Sequence, residues 1–187
     1  VVASELITVS AGEDGGGSFI LGAAGSLETT DSGSNITVTT GASNGDITLT
    51  GTTTALDQVT MTSAGGSING SGLVTSGTVD LNASSGIGSM TGVALSSINV
   101  TADTTNGNIE IANNLGTAVS VSSLTTGTGS VSFDQSGGGD LSTLAISASG
   151  AVTLANAAGS LSLAGTLTGN SFDATASGAI TDDSDGD

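Results

Sequence analysis

The chain of 187 residues contains no Lys, Arg, His, Cys, Pro, Trp or Tyr. Without Lys and Arg, its 17 Asp and Glu residues have no side-chain partner for a salt bridge, so their repulsion must be relieved by spacing, salt or bound cations. The same absence argues against nucleic acid as a partner, because phosphates are neutralised by basic side chains. It also excludes a polybasic segment for a membrane surface. The absence of Cys excludes a disulfide framework and thiolate metal sites.

Long apolar runs are also missing, since none approaches the roughly 18 residues of a transmembrane helix, and we expect no direct membrane insertion. The apolar fraction of 36% is nevertheless spread along the whole chain, which predicts a folded domain despite the net charge of −17. The first residue is Val1, with no initiator Met and no signal peptide. We therefore expect a piece of a longer protein.

What the chain does contain is an internal repeat. Short phrases of the form apolar, polar, apolar recur about every ten residues, and pairs of them recur about every twenty. The stretch 34–63 shows the pattern three times, at Ile36/Val38, Ile47/Leu49 and Val59/Met61. The first apolar residues of the successive phrases are Ile36, Ile47, Val59, Ile68, Val79, Ile87, Ile98, Ile109, Val119, Val131, Leu144, Val152, Leu161, Phe172 and Ile180.

Alternation of apolar and polar residues with a period of two is typical of a β-strand. Helical spacing is absent from the pattern, and the 31 glycines would weaken any helix. The pieces between the phrases, such as "GASNGD" and "SGGGD", are rich in Gly, Asn and Asp, which favour turns.

Two architectures fit many short strands with evenly spaced turns: an antiparallel sandwich or barrel, and a solenoid of parallel strands. A sandwich core normally needs aromatic side chains, and this chain has only three, all Phe. We therefore predict an all-β parallel β-helix with about 20 residues per coil, some nine coils and a length of roughly 45 Å. Residues 1–187 would form a single β-solenoid segment of a longer repetitive protein, with the clearest repeats over 35–181 and less regular ones over 1–34.

The stretch 66–114, which includes "TVDLNASSGIGS" and "INVTADTTNGNIEI", and the stretch "GTGSVSFDQSGGG" at 127–139 resemble repeats of large secreted bacterial exoproteins of the filamentous haemagglutinin type. The resemblance covers most of the chain, from about Ile36 to Ile180. It implies a right-handed parallel β-helix that serves as the stalk of a secreted or surface-attached adhesin. The repeats carry no motif that identifies a ligand.

Calcium is the one metal that the composition favours, because hard cations prefer oxygen ligands. The densest carboxylate groups give the candidate ligands, which are Asp182, Asp183, Asp185 and Asp187 near the end of the chain and Glu13 and Asp14 near its start. The order of residues in "DDSDGD" does not match the EF-hand loop, and no stretch matches the nine-residue calcium roll. The alternative interpretation is a solvated acidic turn.

Catalysis and ice binding are two further functions known for solenoids of parallel strands. Catalysis by analogy with β-helical lyases would need Lys, Arg or His beside the carboxylates, so we expect no enzyme activity and no cofactor. Ice binding would need regular ranks of Thr, and Thr37/Thr39 with Thr60/Thr62 could form such ranks on one face. Their continuation to Asp80 and to Asn99/Thr101 would interrupt them.

The sequence therefore predicts a structural role outside the cell or on the bacterial cell surface, as a rigid stalk or as filament material. An adhesin segment that binds a surface or carbohydrate through polar Thr, Ser and Asn faces is the alternative. Because the terminal coils of a solenoid expose unpaired strand edges, we expect self-association end to end or with neighbouring repeats of the same protein.

Overall fold

A computed structural model describes residues 1–12, 14–88 and 92–182. These residues form β-strands and turns, and they contain no helix that could cross a membrane. The strands are β1 (Val2–Ala3), β2 (Leu6–Ala11), β3 (Phe19–Leu21), β4 (Ser26–Thr29), β5 (Asn35–Thr40), β6 (Ile47–Leu49), β7 (Thr52–Thr54), β8 (Gln58–Ser63), β9 (Ser67–Asn69), β10 (Leu73–Ala83), β11 (Gly86–Ile87), β12 (Val93–Thr104), β13 (Ile109–Asn113), β14 (Val119–Thr126), β15 (Val131–Gln135), β16 (Leu141–Ser147), β17 (Ala151–Asn156), β18 (Leu161–Thr168), β19 (Ser171–Ala176) and β20 (Ile180–Asp182).

The strands stack in parallel on the faces of a solenoid. Face 1 consists of β1, β4, β7 and the first parts of β10 and β12. Face 2 consists of β2, β5, β8, the second parts of β10 and β12, and then β14, β16, β18 and β20. Face 3 consists of β3, β6, β9, β11, β13, β15, β17 and β19. The predicted all-β solenoid is confirmed.

The number of coils is smaller than the sequence predicts. The solenoid has about 7 turns of about 21 residues each, where nine coils were expected. The first turns are longer than the rest, since Ile7 pairs with Ile36 whereas Val59 pairs with Val79. At about 4.8 Å per turn the rod is roughly 34 Å long.

The core is built by like residues stacking on one another in successive turns. On face 3, Ile47, Ile68, Ile87 and Ile109 follow one another in register, and each is fully buried. On face 2, the apolar members of the "ITVT" phrase point inward, while its threonines are only half-buried, as the alternation predicts. Burial of each such aliphatic side chain contributes about 1.5 to 3 kcal/mol.

Four apolar residues that the sequence places in the core are exposed: Phe172 and Ile180 in the last turns, and Ile98 and Leu144 at bends within the solenoid. Ile98 and Leu144 have 48% and 47% of their surface accessible, whereas nearby Val100 and Leu141 are buried. The long strands change direction at these places, and two consecutive residues then face outward, as the exposed pairs in β12 and β16 show. In β16 the register of pairing also shifts between Thr143 and Ala145. A strict two-residue period cannot anticipate such a bend.

Side chains in the turns tie each coil to the next. The Oδ1 atom of Asp46 accepts a hydrogen bond from the backbone N–H of Ser67, at 2.7 Å, one turn further along. Asn108 accepts from Ser130 N–H at 3.0 Å, and Asp140 from Ser160 N–H at 2.8 Å. Each acceptor directly precedes the first inward apolar residue of a strand, so the turn phrases "GDI", "GNI" and "GDL" fix the stacking register.

The number of faces changes along the rod. Strand β12 pairs with β10 through its first part, and its residues Val93–Leu95 also pair with Ile111–Asn113 of β13. Face 1 therefore joins face 3 at this point, and the later turns contain two principal strands each.

Candidate functional site

The outer side of face 2 carries a regular set of hydroxyl side chains in its first three turns. Thr8, Thr37 and Thr60 pair with one another in register and form one column. Ser10, Thr39 and Thr62 form a second, parallel column two residues further along the strands. We call these six residues the hydroxyl array. Since alternate residues of a strand face the same side, the array presents six hydroxyl groups on one side of the sheet.

Hydrogen bonds between neighbouring strands and within β8 hold part of the array in place. Ser10 Oγ lies 3.2 Å from Thr39 Oγ1, which also lies 3.3 Å from the carbonyl oxygen of Val9. Gln58 Nε2 donates to Thr60 Oγ1 at 3.1 Å. The hydroxyls are therefore partly ordered by the protein and can still donate to or accept from an external ligand.

Carboxylate and amide side chains interrupt the columns in the next turn. Thr60 pairs with Asp80, and Thr62 pairs with Asn82, whose Nδ2 donates to Asp80 Oδ1 at 3.1 Å. The interruption at Asp80 agrees with the expectation from the sequence, and Thr101 follows Asp80 in the column. Asn99 lies outside both columns, because it pairs with Thr78. The sequence missed Thr8 and Ser10, because the longer first turn hid their register.

The candidate calcium ligands do not form one site in the described residues. Asp14 is exposed in the turn after β2, and Asp182 is exposed at the end of β20 in the last turn. Glu13, Asp183, Asp185 and Asp187 lie outside the residues that the structure describes. Within the described ranges, no three carboxylates come together in a group that could hold a metal ion.

One pair of carboxylates that the sequence does not bring together lines a polar depression near the first turn. Glu5 and Asp31 border it together with Thr30, Ser32 and Ser34, in a volume of about 610 Å³. Backbone hydrogen bonds from Asp31 N–H to Ser4 O, and from Asn35 N–H to Glu5 O, both at 3.0 Å, join the two segments. Only the return of the chain after one full turn makes them neighbours, so residue spacing gave no signal.

A second cavity lies at the opposite end of the rod and is more apolar. It has a volume of about 540 Å³ and is lined by Leu163, Gly165, Thr166, Leu167, Gly169, Phe172 and Asp182. These residues belong to the last turns, where the interior columns reach the surface. We call this cavity the terminal groove.

The solenoid thus offers an array of hydroxyl groups on the outer side of face 2 and a partly apolar groove in its last turns. Comparison with protein-family models, with curated proteins and with solved structures finds no match for this chain.

Proposed function

We propose that the chain is a structural β-solenoid segment of a large secreted or cell-surface bacterial protein, where it acts as a rigid stalk or as extracellular filament material. The observation that carries the proposal is the continuous parallel ladder of faces 2 and 3, which runs from the first turn to the last. Each turn contacts only its neighbours, so length can be added without changing the core. The resemblance to exoprotein repeats supports the bacterial, extracellular setting.

Rigidity follows from how the turns are joined. A bend of the rod would have to separate backbone hydrogen bonds on one face and compress the stacked aliphatic side chains on another. Interiors packed at crystal-like density resist such compression. The side-chain bonds from Asp46, Asn108 and Asp140 add a further link between successive turns.

The location of the protein on the cells that produce it tests this proposal directly. Antibodies raised against the purified chain should label the cell surface or extracellular fibres in immunogold electron microscopy of intact bacteria. Sections of the same cells provide the control for antibody penetration. Labelling that is confined to the cytoplasm of the sections would contradict the proposal.

The second candidate is an adhesin segment, and the hydroxyl array is the observation that favours it. Hydroxyls that repeat in register from strand to strand suit a ligand that itself presents regularly spaced hydroxyls, such as a polysaccharide surface. Binding of the chain to a glycan array and to insoluble polysaccharides tests this function. A double substitution of Thr37→Val and Thr60→Val should weaken such binding.

A matched control for that experiment exists on another face. Thr153 is an exposed residue of β17 on face 3, outside the array, and Thr153→Val should leave the binding unchanged. Equal binding by the double variant and by the chain without substitutions would remove the hydroxyl array as the contact surface.

A further inference from the structure

The second column of the hydroxyl array continues along the rod as a column of polar side chains. From β2 to β18, each strand of face 2 carries a hydroxyl, an amide or a carboxylate at this position, and consecutive members pair in register. Stacked strands repeat at about 4.8 Å, so one polar side chain follows another at that interval along the axis. We call this the axial column, which consists of Ser10, Thr39, Thr62, Asn82, Asp103, Thr125, Ser147 and Thr168.

A cleft lies beside the axial column, where the strands of face 2 end and the chain turns toward face 3. One depression of about 160 Å³ is bordered by Thr62, Asn82 and Asp103. A second depression of about 150 Å³ is bordered by Ser10 and Thr39. The two adjoin, because Thr39 and Thr62 are paired neighbours on adjacent strands. We call the combined space the axial cleft.

Small side chains at the corner of the solenoid create the cleft. The last inward residues of the strands are Thr40, Ser63 and Ala83, and all three are buried. The hydroxyls of Thr40 and Ser63 donate to the carbonyl oxygen of Gly45 inside the corner and are thereby turned away from the cleft. A backbone hydrogen bond from Ser84 N–H to Ser63 O, at 3.0 Å, continues the parallel ladder below it. The floor of the cleft is therefore fixed by the fold.

The groups that border the cleft define the chemistry of a ligand. Asp103 is exposed, and its carboxylate has no hydrogen-bond partner among the described residues. A carboxylate only accepts hydrogen bonds and forms its strongest ones with cationic donors. Thr62 offers a hydroxyl that donates or accepts, and Asn82 offers an amide oxygen. The lining thus suits a ligand that combines hydroxyl groups with a positively charged amine.

We propose that the axial cleft binds a linear amino-sugar polymer whose chain follows the axis of the rod. An ammonium group of the polymer pairs with Asp103, and sugar hydroxyls bond to Thr62 and Asn82. The proposal rests on the second candidate function, adhesion to carbohydrate, and specifies the class of glycan and the place where it binds. The long direction of the ligand follows the axial column, because that is the direction in which polar groups recur from turn to turn.

Charge separates this class of glycan from the others. The chain has 17 carboxylates and no basic side chain, so it repels polymers that carry uronate or sulfate groups. A neutral or N-acetylated sugar brings no cation to Asp103. A polyamine without hydroxyls pairs with the carboxylate but offers no donor or acceptor of the kind that Thr62 and Asn82 bond in a sugar. An amino sugar satisfies both kinds of group.

Titration of the full-length chain with four probes tests the class of ligand. The probes are the hexamer of glucosamine, the hexamer of N-acetylglucosamine, a hexamer of galacturonic acid and spermine. Calorimetry in dilute salt at about pH 5.5 keeps the carboxylates ionised and the sugar amines protonated. We expect the glucosamine hexamer to bind at least about tenfold more tightly than the N-acetylated hexamer and spermine, and the acidic hexamer not to bind.

Three results of this titration would overturn the proposal. Equal or tighter binding of the N-acetylated hexamer would show that the amine is not recognised. Equal or tighter binding of spermine would show a site for cations alone. The absence of binding by the glucosamine hexamer would remove the site altogether.

A pair of charge-matched variants tests the place of binding. Asp103→Asn should weaken binding of the glucosamine hexamer by about tenfold and leave binding of the N-acetylated hexamer unchanged. Asp134→Asn is the matched control, since Asp134 is an exposed residue of β15 on face 3 and the substitution removes the same charge far from the cleft. Equal losses in the two variants would reveal a general attraction to the negative rod and overturn the assignment to the cleft.

A second pair of variants tests the contribution of the hydroxyl groups. Thr62→Val should weaken binding of both the glucosamine hexamer and the N-acetylated hexamer severalfold, because it removes a hydrogen-bonding group without changing the charge. Thr153→Val, on the exposed side of β17, should have no effect. Unchanged binding by the Thr62 variant would contradict the role of the axial column. Circular dichroism of each variant checks that the fold is preserved.

These outcomes are separable from those of the experiments on the proposed function. Surface labelling without binding of the glucosamine hexamer would leave the structural role in place. Binding to insoluble polysaccharides that the double variant of Thr37 and Thr60 loses, again without binding of the glucosamine hexamer, would leave adhesion in place and remove only the axial cleft as its site.

Discussion

The side-chain amide of Asn113 donates from Nδ2 to Oε1 of Gln135, one turn further along face 3, at 2.8 Å in the buried core. Asn113 also accepts from Ser97 N–H at 3.0 Å and donates to Ser97 O at 3.1 Å. Gln135 Nε2 donates to Leu115 O at 2.6 Å. These bonds satisfy backbone groups at the place where face 1 joins face 3, and the two amides thereby hold that junction together.

Replacement of Asn113 tests this role. Asn113→Leu keeps a similar volume but leaves the Ser97 backbone groups and Gln135 Oε1 without their partner in the core. Each unsatisfied buried polar group costs about 1 to 3 kcal/mol, so we expect the free energy of unfolding to fall by at least about 2 kcal/mol in urea denaturation. Asn114→Leu, at the exposed next residue, should change it by less than about 0.5 kcal/mol. Similar losses in both variants would contradict this account.

Removal of a buried hydroxyl that has no hydrogen-bond partner should raise the free energy of unfolding. Thr143 is fully buried between Val121 and Leu163, and its Oγ1 has no hydrogen-bond partner. Thr143→Val has nearly the same shape and removes the desolvation cost, so the free energy of unfolding should rise by about 1 kcal/mol. Thr153→Val, on the exposed side of β17, should leave it unchanged. A lower stability of the Thr143 variant would show that the hydroxyl has a partner after all.

Successive turns approach so closely at Gly129 that a side chain has no room there. A Cβ atom at Gly129 would lie 2.1 Å from the carbonyl oxygen of Gly107 in the neighbouring turn. Because that oxygen belongs to the backbone, Gly129→Ala must push two turns apart, and we expect a loss of about 1 to 3 kcal/mol. At Gly22 a Cβ meets no atom within 4 Å, so Gly22→Ala should be neutral or slightly stabilising. Thermal unfolding followed by circular dichroism compares the two.

Two isoleucines should differ in their contribution to stability, because one lies in the core and the other at a bend of a strand. Ile109 is fully buried between Ile87 and Val131, whereas 48% of Ile98 is accessible. Ile109→Ala should cost about 2 to 5 kcal/mol through lost burial and the cavity left behind. Ile98→Ala should cost less than about 1 kcal/mol in the same urea titration, because most of that loss requires a buried site. Equal costs would mean that Ile98 is part of the core.

The excess of negative charge predicts a dependence of stability on salt. With 17 carboxylates and no basic side chain, the folded rod repels itself, and the urea midpoint should rise between 0.01 M and 0.5 M NaCl. Calcium and magnesium chloride at equal ionic strength distinguish general screening from a specific site, because the two cations have the same charge. We expect equal midpoints. A higher midpoint in calcium that Asp182→Asn abolishes would instead identify calcium binding near the end of the chain.

The alternation of apolar and polar residues determined the strands and most of the core, because the direction of a side chain in a strand depends only on the residue's place in a two-residue period. It also determined the parallel solenoid, since short aliphatic residues with few aromatics fill a narrow interior. These are local properties, and the sequence states them directly at phrases such as Ile36/Val38.

Only the tertiary structure decides which residues of successive turns become neighbours. The junction of Asn113 with Gln135, the approach of Glu5 to Asp31, the extension of the hydroxyl array to Thr8 and the exposure of Ile98 all depend on the length of each turn and the position of each bend. Turn lengths vary along this chain, and one extra residue shifts every contact with the next coil. The period of the sequence therefore specifies what a turn is made of, and the stacking of complete turns specifies which side chains become neighbours.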